Sequence, residues 1–199
     1  MRGLFITFEG IDRSGKTTQA GLLVDALGDE ALGVREPGGT RAGERVRAIL
    51  KDPSVSLSPE AEALLFAAAR SELVADVILP ALDEGKVVVS DRFLDSSLAY
   101  QGGARGLGME DVERVNDFAV RGLQPDLTFL LELSPEDAAA RAGASDRFEE
   151  EGAELQEAVG AAYERLVRSD PERWRRIDAT RSPDEVHADV LAAVNEARE

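Results

Sequence analysis

The segment with the clearest chemistry is residues 10–17, which read GIDRSGKT and match the pattern G-x-x-x-x-G-K-[ST], known as the P-loop. The segment follows a strand-like apolar run and precedes a helical pattern, which is the context that this motif requires. Its glycines let backbone N–H groups surround a phosphate, Lys16 reaches the β- and γ-phosphate oxygens, and the hydroxyl of Thr17 binds Mg²⁺. We therefore expect a nucleoside triphosphate to bind here; a glycine-rich turn without a ligand is the alternative.

A second candidate pair, Asp91 and Arg92, follows the apolar run 86–90. Ligands of open α/β folds bind at the carboxyl edge of the sheet, so Asp91 is placed to hold Mg²⁺, directly or through water. A cation next to a metal ligand is better suited to a second phosphate, which is the role that we expect for Arg92. A structural ion pair at the end of the strand is the alternative.

Two glycine-rich segments accompany these motifs: 35–40 (REPGGT) and 99–103 (AYQGG). Each has the composition of an ordered loop, although either one alone indicates only a turn. Together with the P-loop and the Asp91-Arg92 pair, they make a set of four short motifs in one chain.

These motifs must be positioned by alternating strands and helices. Apolar runs predict strands at 3–8, 33–35, 86–90, 127–133 and 174–177, with helical segments between them, the first at 17–27. Short apolar strands separated by helices predict parallel βαβ units, with helices on both faces of one sheet. The sequence contains no repeat and no low-complexity linker, so we expect a single domain over residues 1–199.

The helix that follows Ser58 has the clearest start signal. Ser58 suits the N-cap, and Pro59 suits the first turn. At about 100° per residue, the stripe that we expect to face the core consists of Ala61, Leu64, Leu65 and Ala68. Phe66 and Arg70 project the other way, so they are expected to present a ring and a guanidinium side by side, away from the core.

The composition excludes several classes of protein. The chain has 199 residues and a net charge of −16, which argues against a general nucleic-acid binder or a protein of anionic membrane surfaces. The lack of cysteine excludes disulfides and thiolate metal sites, and a single histidine excludes a multi-histidine site. No apolar stretch approaches about 18 residues, from which we expect a soluble, cytoplasmic protein. The acidic excess also suggests the hypothesis of a high-salt cytoplasm.

Taken together, six segments closely resemble the thymidylate kinase family of nucleoside monophosphate kinases, over nearly the whole chain. The segments are FEGIDRSGKTTQ (8–19), REPGGT (35–40), FAAAR (66–70), DRF (91–93), AYQGG (99–103) and DRFEE (146–150). The resemblance implies a three-layer α/β P-loop kinase fold, in which a central parallel five-stranded sheet has helices on both faces and a short lid covers about 141–152. It also implies transfer of the ATP γ-phosphoryl to dTMP, giving dTDP and ADP in dTTP biosynthesis, with Mg²⁺ as cofactor, in a homodimer.

By matching position, the resemblance also assigns candidate site residues. Those for ATP binding are Gly10, Ile11, Asp12, Arg13, Ser14, Gly15, Lys16, Thr17, Thr18 and Arg141. Those for dTMP binding are Asp12, Arg35, Glu36, Pro37, Arg47, Phe66, Arg70, Arg92, Ser97, Tyr100 and Gln101. The implied catalytic residues are Lys16, Arg13, Asp91, Arg92 and Arg147, and the implied metal ligands are Thr17 and Asp91.

The resemblance gives several of these residues distinct roles. Phe66 would stack on thymine, and Arg70 would hydrogen-bond the far edge of the base. The remaining implied contacts are Arg92, Arg35 and Arg47 with the acceptor phosphate, Asp12 with the sugar 3′-hydroxyl, Gln101 and Ser97 with the base, and Tyr100 with the sugar 2′ position.

The family pattern places the catalytic arginine either in the P-loop or in the lid, and this chain has Arg13 in the first and Arg141 and Arg147 in the second. We expect Arg13 to contribute more. Two other functions stay open at this point. One is a kinase for a different nucleoside monophosphate, and the other is a P-loop protein that binds nucleotide without turnover.

Overall fold

The computed structural model describes residues 2–141 and 152–198, and its strands form one parallel five-stranded sheet. The strands are β1 (Phe5–Glu9), β2 (Ala31–Arg35), β3 (Val87–Asp91), β4 (Leu127–Glu132) and β5 (Trp174–Asp178). The ends of each strand lie within two residues of those expected from the sequence. The α/β class and the parallel five-stranded sheet are therefore confirmed.

Helices connect the strands. They are α1 (Lys16–Leu27), α2 (Arg41–Lys51), α3 (Pro59–Leu73), α4 (Leu79–Asp83), α5 (Leu94–Ser97), α6 (Met109–Val120), α7 (Pro135–Ala140), α8 (Ala153–Ser169) and α9 (Pro183–Ala197). Two π-helical segments, Val74–Ile78 and Leu98–Ala104, continue α3 and α5, and a short 3₁₀ helix, Gly28–Glu30, follows α1. Most of the predicted lid, including Arg147, lies outside the described residues. None of the described helices is long and apolar enough to cross a membrane.

The strand order β2-β3-β1-β4-β5 places β1, and therefore the P-loop that follows it, at the centre of the sheet. Phe8 lies opposite Asp91 of β3 on one side and opposite Phe129 of β4 on the other. Arg35, the last residue of β2, also lies opposite Asp91. This register brings the P-loop, Asp91 and Arg35 to one edge, the carboxyl edge, where open α/β sheets bind ligands.

Two apolar clusters cover the two faces of the sheet, because neighbouring residues of a strand point to opposite faces. Phe5 belongs to the cluster that α3 and α8 cover, whereas Ile6 and Phe8 belong to the cluster that α1 and α9 cover. Since both faces of the sheet are buried at its centre, β1, β3 and β4 read as nearly continuous apolar runs, whereas the edge strands β2 and β5 are partly exposed.

Helix α3 begins as predicted but buries a different face. The Ser58 hydroxyl accepts a hydrogen bond from the N–H of Ala61 at 3.2 Å, which confirms the N-cap. The predicted apolar stripe is wrong, since Leu64 is 57% exposed and Ala68 is also exposed. The buried residues are Glu62, Ala63, Ala67, Ala69, Arg70 and Leu73.

The reason lies in the neighbours of α3. The helix packs against α2 and α6, and the small side chains of Ala63 and Ala67 permit a close approach. Arg70 is buried because Glu36 and Asn116, on other elements, accept its hydrogen bonds, so its charge is not left unpaired. Arg70 therefore does not project away from the core. Hydrophobic periodicity selected the wrong face because it counts every charged residue as exposed.

Candidate active site

The P-loop leaves β1 through Gly10 and enters α1 through Gly15. Gly10 has a φ of 139°, and a Cβ there would lie 2.6 Å from the carbonyl oxygen of Leu131, so only glycine fits. Arg13 also adopts a positive φ, 62°, which is uncommon for a residue with a Cβ. The resulting turn places the N-terminus of α1, with N–H groups that lack intrahelical partners, at the carboxyl edge of the sheet.

Lys16 lies buried within this loop. Its ammonium donates to the carbonyl oxygen of Ile11 at 2.6 Å and to the hydroxyl of Ser14 at 3.2 Å. Burial, together with the charge of Arg92, lowers the pKa of Lys16 from 10.5 to about 8. The charges of Asp12, Asp91 and Glu9 oppose this shift only in part, so an anion entering the loop would further favour the ammonium form.

Thr17 and Asp91, the two predicted metal ligands, lie next to each other. The Thr17 hydroxyl donates to Oδ2 of Asp91 at 2.5 Å. A hydroxyl and a carboxylate are oxygen donors of the kind that Mg²⁺ prefers, so the pair fits the ion that the motif implies. In the described ranges no three His, Cys, Asp or Glu residues are grouped to hold a metal. Phosphate oxygens and water would therefore supply the other ligands.

Arg92 connects the end of β3 with the P-loop. Its guanidinium donates to Oδ1 of Asp12 at 2.5 Å and to the Ser96 hydroxyl at 3.0 Å, and it lies 5.1 Å from the centre of the Tyr100 ring. Burial alone would raise the pKa of Asp12, but the charges of Arg92 and Lys16 outweigh it and lower that pKa. Asp12 is therefore an ionised acceptor between two cations.

One cavity of about 250 Å³ brings these groups together. All the residues assigned to dTMP binding line it: Asp12, Arg35, Glu36, Pro37, Arg47, Phe66, Arg70, Arg92, Ser97, Tyr100 and Gln101. Arg13, Lys16, Thr17 and Asp91 line it as well. The other predicted ATP-binding residues, Gly10, Ile11, Ser14, Gly15, Thr18 and Arg141, do not line this cavity.

The buried guanidinium of Arg70 lines the cavity. Its Nε donates to Glu36 at 2.8 Å, its Nη1 to Asn116, and its Nη2 to the Phe93 carbonyl oxygen and the Ser97 hydroxyl, both at 3.1 Å. These contacts use four of the five N–H groups that arginine carries. Among the described residues, the second N–H of Nη1 has no acceptor, so it is available to a ligand in the cavity.

The neighbouring Glu36 is also incompletely bonded. Its Oε1 is buried and accepts no hydrogen bond from the described residues, while its Oε2 accepts from Arg70. Burial raises the pKa of Glu36, although the charge of Arg70 opposes this effect. A polar oxygen on the cavity wall is therefore available to a bound ligand.

Three further basic residues line the cavity, and one of them was missed by the sequence analysis. Arg35 pairs with Glu44 at 3.3 Å, and Arg47 donates to the carbonyl oxygen of Pro37 at 2.8 Å. Lys51 also lines the cavity. The signal was present in the sequence, since Lys51 follows Arg47 by four residues and so lies one turn further along the same face of α2.

Glu9, a buried acid at the end of β1, was missed as well. It accepts hydrogen bonds from the Phe93 N–H at 2.8 Å, the Ser96 hydroxyl at 2.6 Å and the Tyr163 hydroxyl at 2.7 Å. Burial raises its pKa to about 7, with a contribution from the charge of Asp95. A glutamate at the end of an apolar strand was the available signal. Its bonds hold the loop that carries Arg92.

Two further contacts join distant parts of the chain to the P-loop. The side chain of Gln156, on α8, accepts from the N–H of Asp12 at 3.1 Å and donates to Oδ2 of Asp12 at 2.8 Å. Arg141 donates to the carbonyl oxygens of Arg13 and Ala179. No sequence signal indicated the role of Gln156, because its partner lies 144 positions away.

Comparison with known proteins now adds to this geometry. The thymidylate kinase family model matches residues 8–190. The chain belongs to the thymidylate kinase family. It is 52% identical over 204 residues to a thymidylate kinase of Pelotomaculum thermopropionicum, covering 98% of this chain and 94% of that protein. It is 49% identical over 201 residues to one of Caldanaerobacter subterraneus subsp. tengcongensis, covering 98% and 97%.

A solved structure agrees with the sequence relatives. The crystal structure of thymidylate kinase from Ehrlichia chaffeensis superposes with a TM-score of 0.83 at 31% identity, covering 98% of this chain and 100% of that one. The fold is thus the α/β P-loop kinase fold. Membership of the thymidylate kinase family also gives the activity: the chain is a nucleoside monophosphate kinase that phosphorylates dTMP to dTDP in dTTP synthesis. These findings favour neither a kinase for another nucleotide nor a non-catalytic P-loop protein.

Proposed function

We propose that the cavity described above is the place where the γ-phosphoryl of ATP passes to dTMP. The observation that carries this proposal is the convergence of three groups on one cavity: Lys16 of the P-loop, Arg92 at the end of β3, and the buried Arg70. The P-loop accounts for a nucleotide donor, and the basic groups beyond Asp91 account for a second phosphate.

The reaction needs alignment and charge more than proton transfer. An oxygen of the dTMP phosphate attacks the γ-phosphorus, the bond to the β–γ bridging oxygen breaks, and ADP leaves with that electron pair. The transition state is loose and spreads charge over the equatorial oxygens, so no strong general base is required. Lys16 and Arg13 would neutralise the donor phosphates, and Arg92 would hold the acceptor phosphate. Thr17 and Asp91 would hold Mg²⁺, which supplies positive charge at the donor phosphates when bound.

The Arg92–Asp12 ion pair gives the acceptor a way to organise its own site. A phosphate that binds to Arg92 competes with Asp12 for the guanidinium N–H groups. Asp12 then becomes available to accept a hydrogen bond from the sugar 3′-hydroxyl. One ligand thus satisfies both members of the pair, and neither charge is left unpaired in a buried place.

The experiment that tests the activity is ADP release from Mg-ATP by the purified protein, measured separately with dTMP, dUMP, UMP, CMP, AMP and GMP at low and high salt. We expect rapid turnover with dTMP and little with the ribonucleotides. Turnover with another nucleotide in preference to dTMP would contradict the assignment of the base pocket. The absence of ADP release with every acceptor at both salt concentrations would contradict the proposed reaction.

We also propose that the active form is a homodimer, as the family resemblance implies. Among the described residues, the large exposed apolar side chains are Ile49, Leu64, Val115 and Phe118, the last 89% exposed. They lie on α2, α3 and α6, which pack against one another in that order. The inner face of α6 carries Asn116, which bonds Arg70, so a second copy covering the outer face would also brace the base pocket.

Sedimentation velocity tests this assembly. Phe118→Asp is expected to convert the dimer to a monomer, because it places a charge in the apolar surface that the second copy would bury. Ala188→Asp, an exposed position on α9 at the other face of the sheet, is the matched control and should leave the dimer intact. A wild-type monomer at micromolar concentration would contradict the proposal. A cytoplasmic location is the remaining part of the proposal, and fractionation of the source cells tests it.

A further inference from the structure

The side chain of Gln101 has a fixed direction in the cavity. Gln101 lies in the π-helical segment Leu98–Ala104, is 1% exposed and lines the cavity. Its Nε2 donates to Oε1 of Glu62 at 2.9 Å. Among the described residues, no group donates to its Oε1. The amide therefore has its donor side turned towards Glu62 and its acceptor oxygen left for a ligand.

Glu62 determines the orientation of the Gln101 amide. It is buried on α3, where Arg105 donates from Nε to its Oε1 at 3.2 Å and from Nη2 to its Oε2 at 3.3 Å. A carboxylate held by a guanidinium offers only acceptors. If the amide of Gln101 turned over, two acceptor oxygens would face each other in a buried place, which is costly. The Glu62–Arg105 pair thus determines the direction of the amide.

We propose that Glu62 and Arg105 are positioning residues for base recognition: they lock the amide of Gln101 so that its oxygen selects a base carrying a hydrogen-bond donor at N3. This inference rests on the proposed function, since it takes the cavity to be the dTMP site. Thymine carries an N3–H, which the Gln101 oxygen can accept. The N3 atom of cytosine is itself an acceptor, so it meets an oxygen with no proton between them.

A second, separate contact reads the neighbouring position of the base. The one N–H that Arg70 retains is a donor, and it suits the O4 of thymine but not the 4-amino group of a cytosine. Arg70 is held by Glu36 and Asn116, neither of which bonds Gln101 in the structure. The two contacts are therefore separable by experiment.

The test combines one variant with three acceptors. Glu62→Gln keeps the shape of the side chain but can present either an oxygen or an amide N–H, so the amide of Gln101 is no longer locked. The acceptors are dTMP, 5-methyl-2′-deoxyisocytidine monophosphate, which keeps O4 but has an acceptor at N3, and 5-methyl-dCMP, which changes both positions. The quantity compared is kcat/KM for each analogue relative to that for dTMP.

We expect Glu62→Gln to raise the relative kcat/KM of the isocytidine analogue about tenfold, since the site no longer opposes an acceptor at N3. The relative value for 5-methyl-dCMP should rise much less, because Arg70 still opposes its 4-amino group. Arg105→Gln should change the first ratio in the same direction, since the guanidinium no longer holds the Glu62 carboxylate in place and the amide of Gln101 is locked less firmly. Arg105 is only partly buried, so this variant carries the test if Glu62→Gln fails to fold.

Glu60→Gln is the matched control, because it removes the same charge from an exposed position on the same helix. It should keep the wild-type ratios. A general structural role for Glu62 would lower kcat/KM for all three acceptors alike and leave the ratios unchanged, and that result in folded Glu62→Gln or Arg105→Gln protein would overturn the inference. Failure of the proposed function would look different: the wild-type protein would not phosphorylate dTMP at all.

Discussion

Lys16 provides a direct electrostatic test of the phosphate site. Its pKa is lowered to about 8 by burial and by Arg92, whereas a bound phosphate favours the ammonium form and raises that pKa. We therefore predict that nucleotide binding is accompanied by proton uptake at pH 8.5, where Lys16 of the unliganded protein is partly deprotonated. At pH 6.5 Lys16 already carries its proton in both states, and its contribution to the uptake disappears.

Titration calorimetry in two buffers with different ionisation enthalpies measures this proton uptake. Lys16→Met should show less proton uptake at pH 8.5 than the wild-type protein, because the variant lacks the titrating amine. An uptake that is equal at pH 6.5 and pH 8.5 in the wild-type protein would show that Lys16 is not the group responsible.

A second prediction at the scale of single residues concerns the two candidate catalytic arginines. Arg13 lies in the P-loop, lines the cavity and adopts a positive φ that directs the backbone around the phosphate site. We predict that Arg13→Ala lowers kcat about 100-fold, in the range for loss of one transition-state donor, with a smaller change in the KM for dTMP. Arg147→Ala should have a smaller effect on kcat. Steady-state kinetics measure both effects. A larger loss of kcat in Arg147→Ala than in Arg13→Ala would contradict the assignment.

Among the elements, α3 contributes both to the cavity and to the contact that holds Gln101. Glu62, Phe66 and Arg70 all lie on it, and all depend on where the helix begins. The Ser58 hydroxyl fixes that point by accepting from the N–H of Ala61. We predict that Ser58→Ala lowers the free energy of unfolding by about 1 kcal/mol, as measured by urea denaturation. Ser56→Ala, in the exposed loop before the helix, is the control and should change it little.

The π-helical segment Leu98–Ala104 is a second element with a local function. It continues α5 and brings both Tyr100 and Gln101 into the cavity. π-Helical turns are rare and occur often at functional sites, because the wider turn shifts the side chains that follow. In this chain the shift places Gln101 within reach of Glu62 on another helix.

At the scale of the whole molecule, the dominant property is the net charge of −16. The cationic groups of the cavity form a local positive region within this negative field, so salt acts on the fold and on ligand attraction in opposite ways. Salt should stabilise the fold because it screens the self-repulsion of the acidic surface. It should also weaken the local attraction of anionic nucleotides to the cationic groups of the cavity.

We therefore predict that the thermal unfolding midpoint rises between low salt and 1 M KCl, with KM for dTMP rising over the same range. Calorimetry and steady-state kinetics measure the two trends. Sucrose, an uncharged stabiliser, is the control, and it should raise the midpoint without the same increase in KM. Full stability and activity at low salt would contradict the hypothesis of adaptation to a high-salt cytoplasm.

Local patterns in the sequence determined much of this protein. The P-loop, the five strands and the start of α3 are set by short-range rules of backbone conformation and apolar periodicity, and the structure has them where the sequence predicted them. The motif resemblance also identified the family, which the comparisons confirm. The single-domain extent over residues 1–199 and the lid stay predictions.

Only the tertiary structure decided which face of α3 is buried, which partners surround Arg70 and how Gln101 is turned. In each case a charged or polar side chain is buried because its partner comes from a distant part of the chain: Glu36 for Arg70, Arg105 for Glu62, and Tyr163 for Glu9. Sequence patterns treat such residues as exposed, since the cost of burying a charge is offset only by a partner that the pattern does not include. The sheet register contributes to two of these contacts, because it brings the ends of β1 and β2, where Glu9 and Glu36 lie, to one edge.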